Sequence, residues 1–169
     1  GNFLYMLKGE VPSPQTAALM DKDFVLHGEH GVNASAFTAR VVTGTNADLH
    51  ASVTAAVAAL SGPAHGGAAE DVMKMAQEIC DPARTAEYLK DLGARGERVT
   101  GFGHRVYKVE DPRARHLREG VKRLSEERGD PKWYAILEAV VQAMQPYARR
   151  GVHVNVDFYA GVIYHLLGM

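Results

Sequence analysis

A mainly α fold is predicted for this 169-residue chain by three observations. Apolar residues recur every three or four positions through most of it, and Asp-Pro pairs stand where such stripes begin. Alternating apolar residues occur in one short run only, which cannot make a sheet by itself. Taken in order, Leu49, Val53, Val57 and Leu60 make a stripe within Ala47 to Leu60, but alanines surround them on nearly every side. A helix so poor in polar residues is expected to be buried and packed on several sides, as an interface or as part of a larger core. Val72, Met75, Ala76 and Ile79 form a shorter stripe. Asp81-Pro82, Asp111-Pro112 and Asp130-Pro131 each place a capping carboxylate before a proline suited to the first helical position. After Asp111, Ala114, Leu117, Val121 and Leu124 make one face, with Arg, Lys and Glu on most of the others. After Asp130, Trp133, Ile136, Leu137, Val140, Val141 and Met144 repeat the pattern, and Pro146 is expected to end or kink that helix. Val152, Val154, Val156 and Phe158 alternate, which fits a short strand or an extended lead into a last helix.

Composition narrows the function. With 46% hydrophobic and 23% charged residues the chain is an ordinary globular sequence, so extensive disorder is not expected. Nineteen basic and 20 acidic residues leave a net charge of −1, against the basic balance that nucleic-acid binding favours. The balance conceals a basic centre: Arg95 to Arg128 holds ten Lys or Arg against six Asp or Glu. That strip could attract an anionic small ligand or be a solvated helix face with ion pairs one turn apart. Cys80 is the single cysteine, which excludes an internal disulfide and a cysteine metal cluster and fits an intracellular, cytoplasmic location. No apolar run reaches the ~18 residues of a membrane span. The start at Gly1, with no charged leader, reads as something other than a native N-terminus.

Four of the eight histidines have unusual neighbours. His27 and His30 lie in Leu26-His27-Gly28-Glu29-His30-Gly31-Val32-Asn33. His65 lies in Gly62-Pro63-Ala64-His65-Gly66-Gly67, and His104 in Gly101-Phe102-Gly103-His104-Arg105. Flanking glycines let a ligand and the backbone approach closely and place the imidazole on a loop. The alternative is a turn residue whose ring caps a helix. The His27 and His30 spacing also suits zinc, but without a His-Glu-x-x-His motif any third ligand is arbitrary, and no metal is expected. His50, His116 and His165 fall within helices as surface or interface residues, and His153 is undecided. Asp157, between Val156 and Phe158, is either a base whose acidity burial weakens or the N-cap of the last helix. Arg113 could fork onto a substrate carboxylate or form a surface ion pair. Phosphate-loop, nucleophile-elbow and dinucleotide fingerprints are all missing.

These residues, in this order, resemble the citrate synthase family, which includes 2-methylcitrate synthases. The resemblance runs over essentially the whole chain: Asn2-Phe3-Leu4-Tyr5-Met6-Leu7, the His27 to Ser35 segment, the His65 and His104 segments, Asp111-Pro112-Arg113-Ala114, and Asn155-Val156-Asp157-Phe158-Tyr159-Ala160-Gly161. The wording of the first half is similar to the bacterial and archaeal branch. The resemblance implies a citrate synthase-like helical fold, with 1–60 a segment of the large domain, 61–160 the small domain and 161–169 the return into the large one. It implies condensation of acetyl-CoA, or propionyl-CoA, with oxaloacetate, a step of the tricarboxylic acid cycle, without a metal and in a homodimer. Asp157 matches the base that takes the thioester α-proton, His65 the residue that holds the thioester oxygen, and His104 the group that polarises and protonates the ketone. His30 and Arg113 match oxaloacetate-binding positions, and Arg105 and Lys108 are candidate contacts for CoA phosphates. Gly28, Glu29 and Ala160 depart mildly from common family residues. The family has further helices before Asn2 and after Met169, the latter bringing two more arginines, so this stretch alone is expected to condense weakly or not at all.

Overall fold

The structure is a computed structural model, and it describes residues 1–29, 31–62 and 65–169. Among these residues it is helical throughout: α1 (Asn2–Lys8), α2 (Pro14–His27), α3 (Ala34–Thr43), α4 (Leu49–Leu60), α5 (Ala68–Ile79), a 3-10 turn (Pro82–Arg84), α6 (Thr85–Ala94), α7 (Ala114–Glu127), α8 (Lys132–Ala148) and α9 (Asp157–Leu166). Side-chain caps start α2, α3 and α4: Ser13 accepts from the Thr16 N–H, Asn33 from Ala36 and Asp48 from Ala51. Each such cap is worth about 1 kcal/mol against alanine.

The three Asp-Pro pairs do not act alike. Asp81 caps as expected, accepting from the Ala83 N–H. Asp130 caps nothing at the start of α8. Asp111 turns its carboxylate to the N–H and guanidinium of Arg113, and α7 begins only at Ala114. Pro146 does not end α8: it lies inside the helix, which runs two residues past it to Ala148.

Helix α9 is the centre of the molecule. Phe158 to Ile163 are all buried, and α5, α7 and α8 pack around them to form one core with Leu4, Leu19 and Met20 from the first two helices. Helices α5 and α9 meet at nearly backbone distance, since a Cβ on Gly161 would stand 2.1 Å from the Ala69 carbonyl oxygen. The alternating run of 152–158 is the extended lead rather than a sheet. Val154 makes an isolated antiparallel bridge with Phe102, and the Gly103 N–H reaches the His153 carbonyl at 2.7 Å.

Helices α3 and α4 pack on each other and supply none of the core residues. The expectation of a helix buried on several sides is therefore not met within this chain. Leu49 is 74% and Val57 57% exposed, and Ser52 is the buried residue of α4, bonded to Thr43 of α3. Phe37 and Val41 of α3 are also exposed, so the hairpin carries an apolar surface that the rest of the chain leaves uncovered.

Candidate active site

Asp157 is the first residue of α9, and its carboxylate is not the cap. The Asp157 N–H is taken instead by the Asn155 side-chain oxygen at 3.1 Å, while the Asn155 amide donates to the Gly103 carbonyl at 3.0 Å. Asn155 thus ties the start of α9 to the His104 loop and leaves the carboxylate for other use. The group is partly buried, and loss of hydration raises its pKa above the ordinary carboxylate value. The cationic forms of His27 and His104 and the Arg113 guanidinium pull the other way, and Asp111 adds to the rise.

The His104 loop is shaped by its glycines. Gly101 has φ +80° and is buried where a Cβ would strike Phe158 and Val72, and Gly103 has φ +84°. Side chains are strained at both positions. The backbone N–H groups of Val106 and Tyr107 donate to His104 Nδ1 at 3.0 and 3.1 Å. With Nδ1 an acceptor, the proton of the neutral ring sits on Nε2. The ring lies over Tyr107, with centroids 4.6 Å apart. Through Nδ1 the ring caps a bend of its own loop rather than a helix.

Arg113 is an ion-paired residue, though a half-buried one rather than one on the surface. Its Nε and one terminal nitrogen fork onto both oxygens of Asp111, whose side chain is 0% exposed against 14% for the arginine. Burial raises the Asp111 pKa, but hydrogen bonds from Arg113 outweigh it and hold the carboxyl below its ordinary value. The second Asp111 oxygen also accepts from the Val156 N–H at 3.3 Å, so this pair anchors the residue ahead of Asp157.

His65 stands on another element. Its Nε2 accepts from the Ser35 N–H at 3.2 Å and lies 3.0 Å from the Ser35 hydroxyl, which itself donates to Asn33 at 2.8 Å. A backbone donor on Nε2 leaves the proton on Nδ1. The structure thus gathers His104, Arg113 and Asp157 around the Phe102–Val154 bridge and secures His65 to the start of α3. Arg105 and Lys108 are exposed beyond His104. His30 lies outside the described residues.

Sequence reasoning missed two residues that join this group, Asp23 and Tyr164, and singled out His27 without this partner. Asp23, buried at 2% exposure, accepts from the Tyr164 hydroxyl of α9 at 2.9 Å. His27 Nδ1 lies 3.0 Å from the Asp23 carbonyl oxygen and 3.2 Å from its carboxylate, and the hydrogen bond to Asp23 raises the imidazole pKa. The available signal was a carboxylate four residues before a histidine, inside the apolar stripe of α2.

Asp157 is thus a half-buried carboxylate, in an all-helical arrangement, that feels the charges of His27, Arg113 and His104. The family model for the citrate synthase C-terminal domain matches residues 1–169. Citrate synthase 2 of Bacillus subtilis is 45% identical, over 99% of this chain and 45% of its own length. The 2-methylcitrate synthase of Mycobacterium tuberculosis is 41% identical, over 99% of the chain and 42% of its own length. In structure, citrate synthase from Thermoplasma acidophilum, solved in ternary complex with carboxymethyl coenzyme A and oxaloacetate, superposes with a TM-score of 0.89 at 34% identity, over 99% of this chain and 45% of that one. The chain belongs to the citrate synthase family. It spans less than half the length of these relatives.

Proposed function

We propose that this chain carries the base and the two acid–base histidines of a condensation between an acyl-CoA and oxaloacetate, giving citrate and CoA from acetyl-CoA. The observation that carries the reading is Asp157: a carboxylate raised by burial, relieved of capping by Asn155, and joined through that asparagine to the His104 loop. Asp157 takes the α-proton of the thioester, and the electron pair of the broken C–H bond moves to the thioester oxygen. His65 Nδ1–H holds that oxygen, which supplies the stabilisation a lone carboxylate lacks against so weak an acid. The nucleophilic carbon bonds to the ketone carbon of oxaloacetate, and the ketone oxygen takes the proton of His104 Nε2. Water then cleaves the thioester, releasing CoA. Arg113, with His30, would hold an oxaloacetate carboxylate through the terminal nitrogen not bound to Asp111. Exposed Arg105 and Lys108 would meet the CoA phosphates.

Because the chain covers under half of its relatives, further chain is required to complete the pocket. In this reading 1–60 belongs to a large domain, 61–160 is the small domain, and 161–169 leads back. The apolar α3–α4 hairpin supports a homodimer, since its exposed face needs a cover. Among the described residues no helix is long and apolar enough to cross a membrane. The exposed, unpaired Cys80 fits a reducing cytoplasm.

The test replaces the matched stretch of Bacillus subtilis citrate synthase 2 with this chain. CoA release is then followed from oxaloacetate with acetyl-CoA and with propionyl-CoA. We expect turnover with at least one thioester, a ratio that identifies the preferred acyl group, and a loss of about 10²–10⁴ in kcat on Asp157→Asn. A folded chimera with no turnover on either thioester refutes the reading. Steady turnover by the 169-residue chain alone refutes its incompleteness.

A further inference from the structure

We propose that Asp23 is a positioning residue, which from the last turn of α2 clamps the His27 imidazole and the Tyr164 hydroxyl together and so holds that imidazole against the helix that begins with Asp157. The role rests on the condensation reading above for its consequence, though not for its geometry.

A carboxylate 2% exposed is costly to bury, and an apolar residue would fill its place at less cost. Its Oδ2 takes the Tyr164 hydrogen bond, whereas its Oδ1 is buried without any hydrogen bond. The charged group at that oxygen is His27, whose Nδ1 lies 3.2 Å from it and 3.0 Å from the Asp23 main-chain oxygen. This is an ion-pair geometry, and it leaves a buried oxygen uncompensated unless the imidazole is protonated. Tyr164 and Asp157 are seven residues apart on α9, two turns along one face and roughly 10.5 Å in rise. The clamp therefore joins the end of α2 to the face of α9 on which Asp157 stands, and His27 and Asp157 each act on the other's ionisation. The other charged groups acting on Asp157 are Arg113 and Asp111 from the turn before α7 and His104 from its loop. None of these touches Asp23, so the clamp adds a control on the base that is separate from the Arg113 anchor.

NMR titration of the 169-residue chain reads the clamp without reference to turnover, following the His27 ring nitrogens and the Asp157 carboxyl carbon. In Asp23→Asn, which can still accept from Tyr164, we expect the His27 midpoint to fall and the Asp157 midpoint to rise by roughly half a pH unit or more. His27→Gln leaves the Asp23–Tyr164 bond in place and is expected to raise the Asp157 midpoint in the same direction. Unchanged midpoints in folded Asp23→Asn overturn the proposal. If that variant does not fold, an unchanged Asp157 midpoint in His27→Gln overturns it. In the active chimera the acid limb of kcat/KM in Asp23→Asn should move up by the same amount as the Asp157 midpoint. A fixed limb with shifted midpoints overturns the positioning role. A parent chimera that never turns over refutes the condensation reading and leaves the NMR result to decide the clamp.

Discussion

Two helical glycines with opposite surroundings make the sharpest test of how α9 is held. Gly161 faces α5 so closely that an alanine Cβ would lie 2.1 Å from the Ala69 carbonyl oxygen and 2.9 Å from its carbonyl carbon. Both are backbone atoms, which cannot rotate aside as a side chain could, so the helices must separate. Overpacking of a rigid site costs ~3 kcal/mol, and the better helix propensity of alanine returns about 1. Gly161→Ala should therefore destabilise by about 2 kcal/mol, which for a chain of this size lowers Tm by roughly 4–8 °C. Gly93, inside α6, has nothing within 4 Å of its added Cβ and no positive φ. Gly93→Ala meets no obstacle and should stabilise by about 0.5–1 kcal/mol. Gly120 lies between them, because its obstacle is the movable end of Leu19 at 2.3 Å. Thermal melts by circular dichroism, with urea titrations to check that m is unchanged, would rank the three variants. A Gly161→Ala chain as stable as Gly93→Ala would refute the α5–α9 contact on which the placement of Asp157 depends.

Other outcomes follow from the charges. The folded pKa of Asp157 is raised, so its ionisation costs stability, a cost absent below the unfolded value and complete once pH exceeds the folded one. Asp157→Asn should stabilise the fold at neutral pH and have no such effect near pH 3, as urea midpoints at the two pH values would show. Asp111 has the opposite sign: its lowered pKa contributes stability above the unfolded value that is lost as pH falls through the folded one. Asp111→Ala strands Arg113 and should cost roughly 3–5 kcal/mol at neutral pH, with the difference from the parent shrinking in acid. On α4, Val53→Glu with Val57→Glu places two charges on the exposed apolar face and should abolish concentration-dependent association in sedimentation. A parent chain that sediments as a monomer at high concentration refutes the dimer.

The helices were legible because their stripes are local. Leu117, Val121 and Leu124 are buried where their spacing puts them, and so are Ile136, Leu137 and Val140. What escaped depended on contacts distant in sequence. The α4 stripe reads as a buried helix, and nothing in the spacing of Leu49, Val53 and Val57 says that it is exposed in this chain. The Asp-Pro pairs look equivalent until Arg113 competes for Asp111. At the site, His65, His104, Arg113 and Asp157 stood out through their motifs, but whether Asp157 was cap or base could not be read from its own neighbours. Asn155, two residues away, accepts the Asp157 N–H and so removes the cap reading. Asp23 was hidden because its partner, Tyr164, is 141 residues distant.

These results converge on one helix. The start of α9 is fixed at Val156 by Asp111 and at Asp157 by Asn155. One turn on, Gly161 lets α5 settle against it, and a further turn along, Tyr164 meets Asp23. Four contacts therefore hold the helix on which the Asp157 carboxylate stands. None of those contacts needs to touch a substrate. A base that is partly desolvated is unstable in charge and cannot be left on a mobile segment without admitting water and losing its raised pKa. The buried stretch of α9 meets that need, and the stability sacrificed in burying Asp157 is recovered along the same helix, in the apolar packing from Phe158 to Ile163. The same logic explains why substitutions remote from the carboxylate, at Gly161 or at Asp23, should change its chemistry as well as the fold.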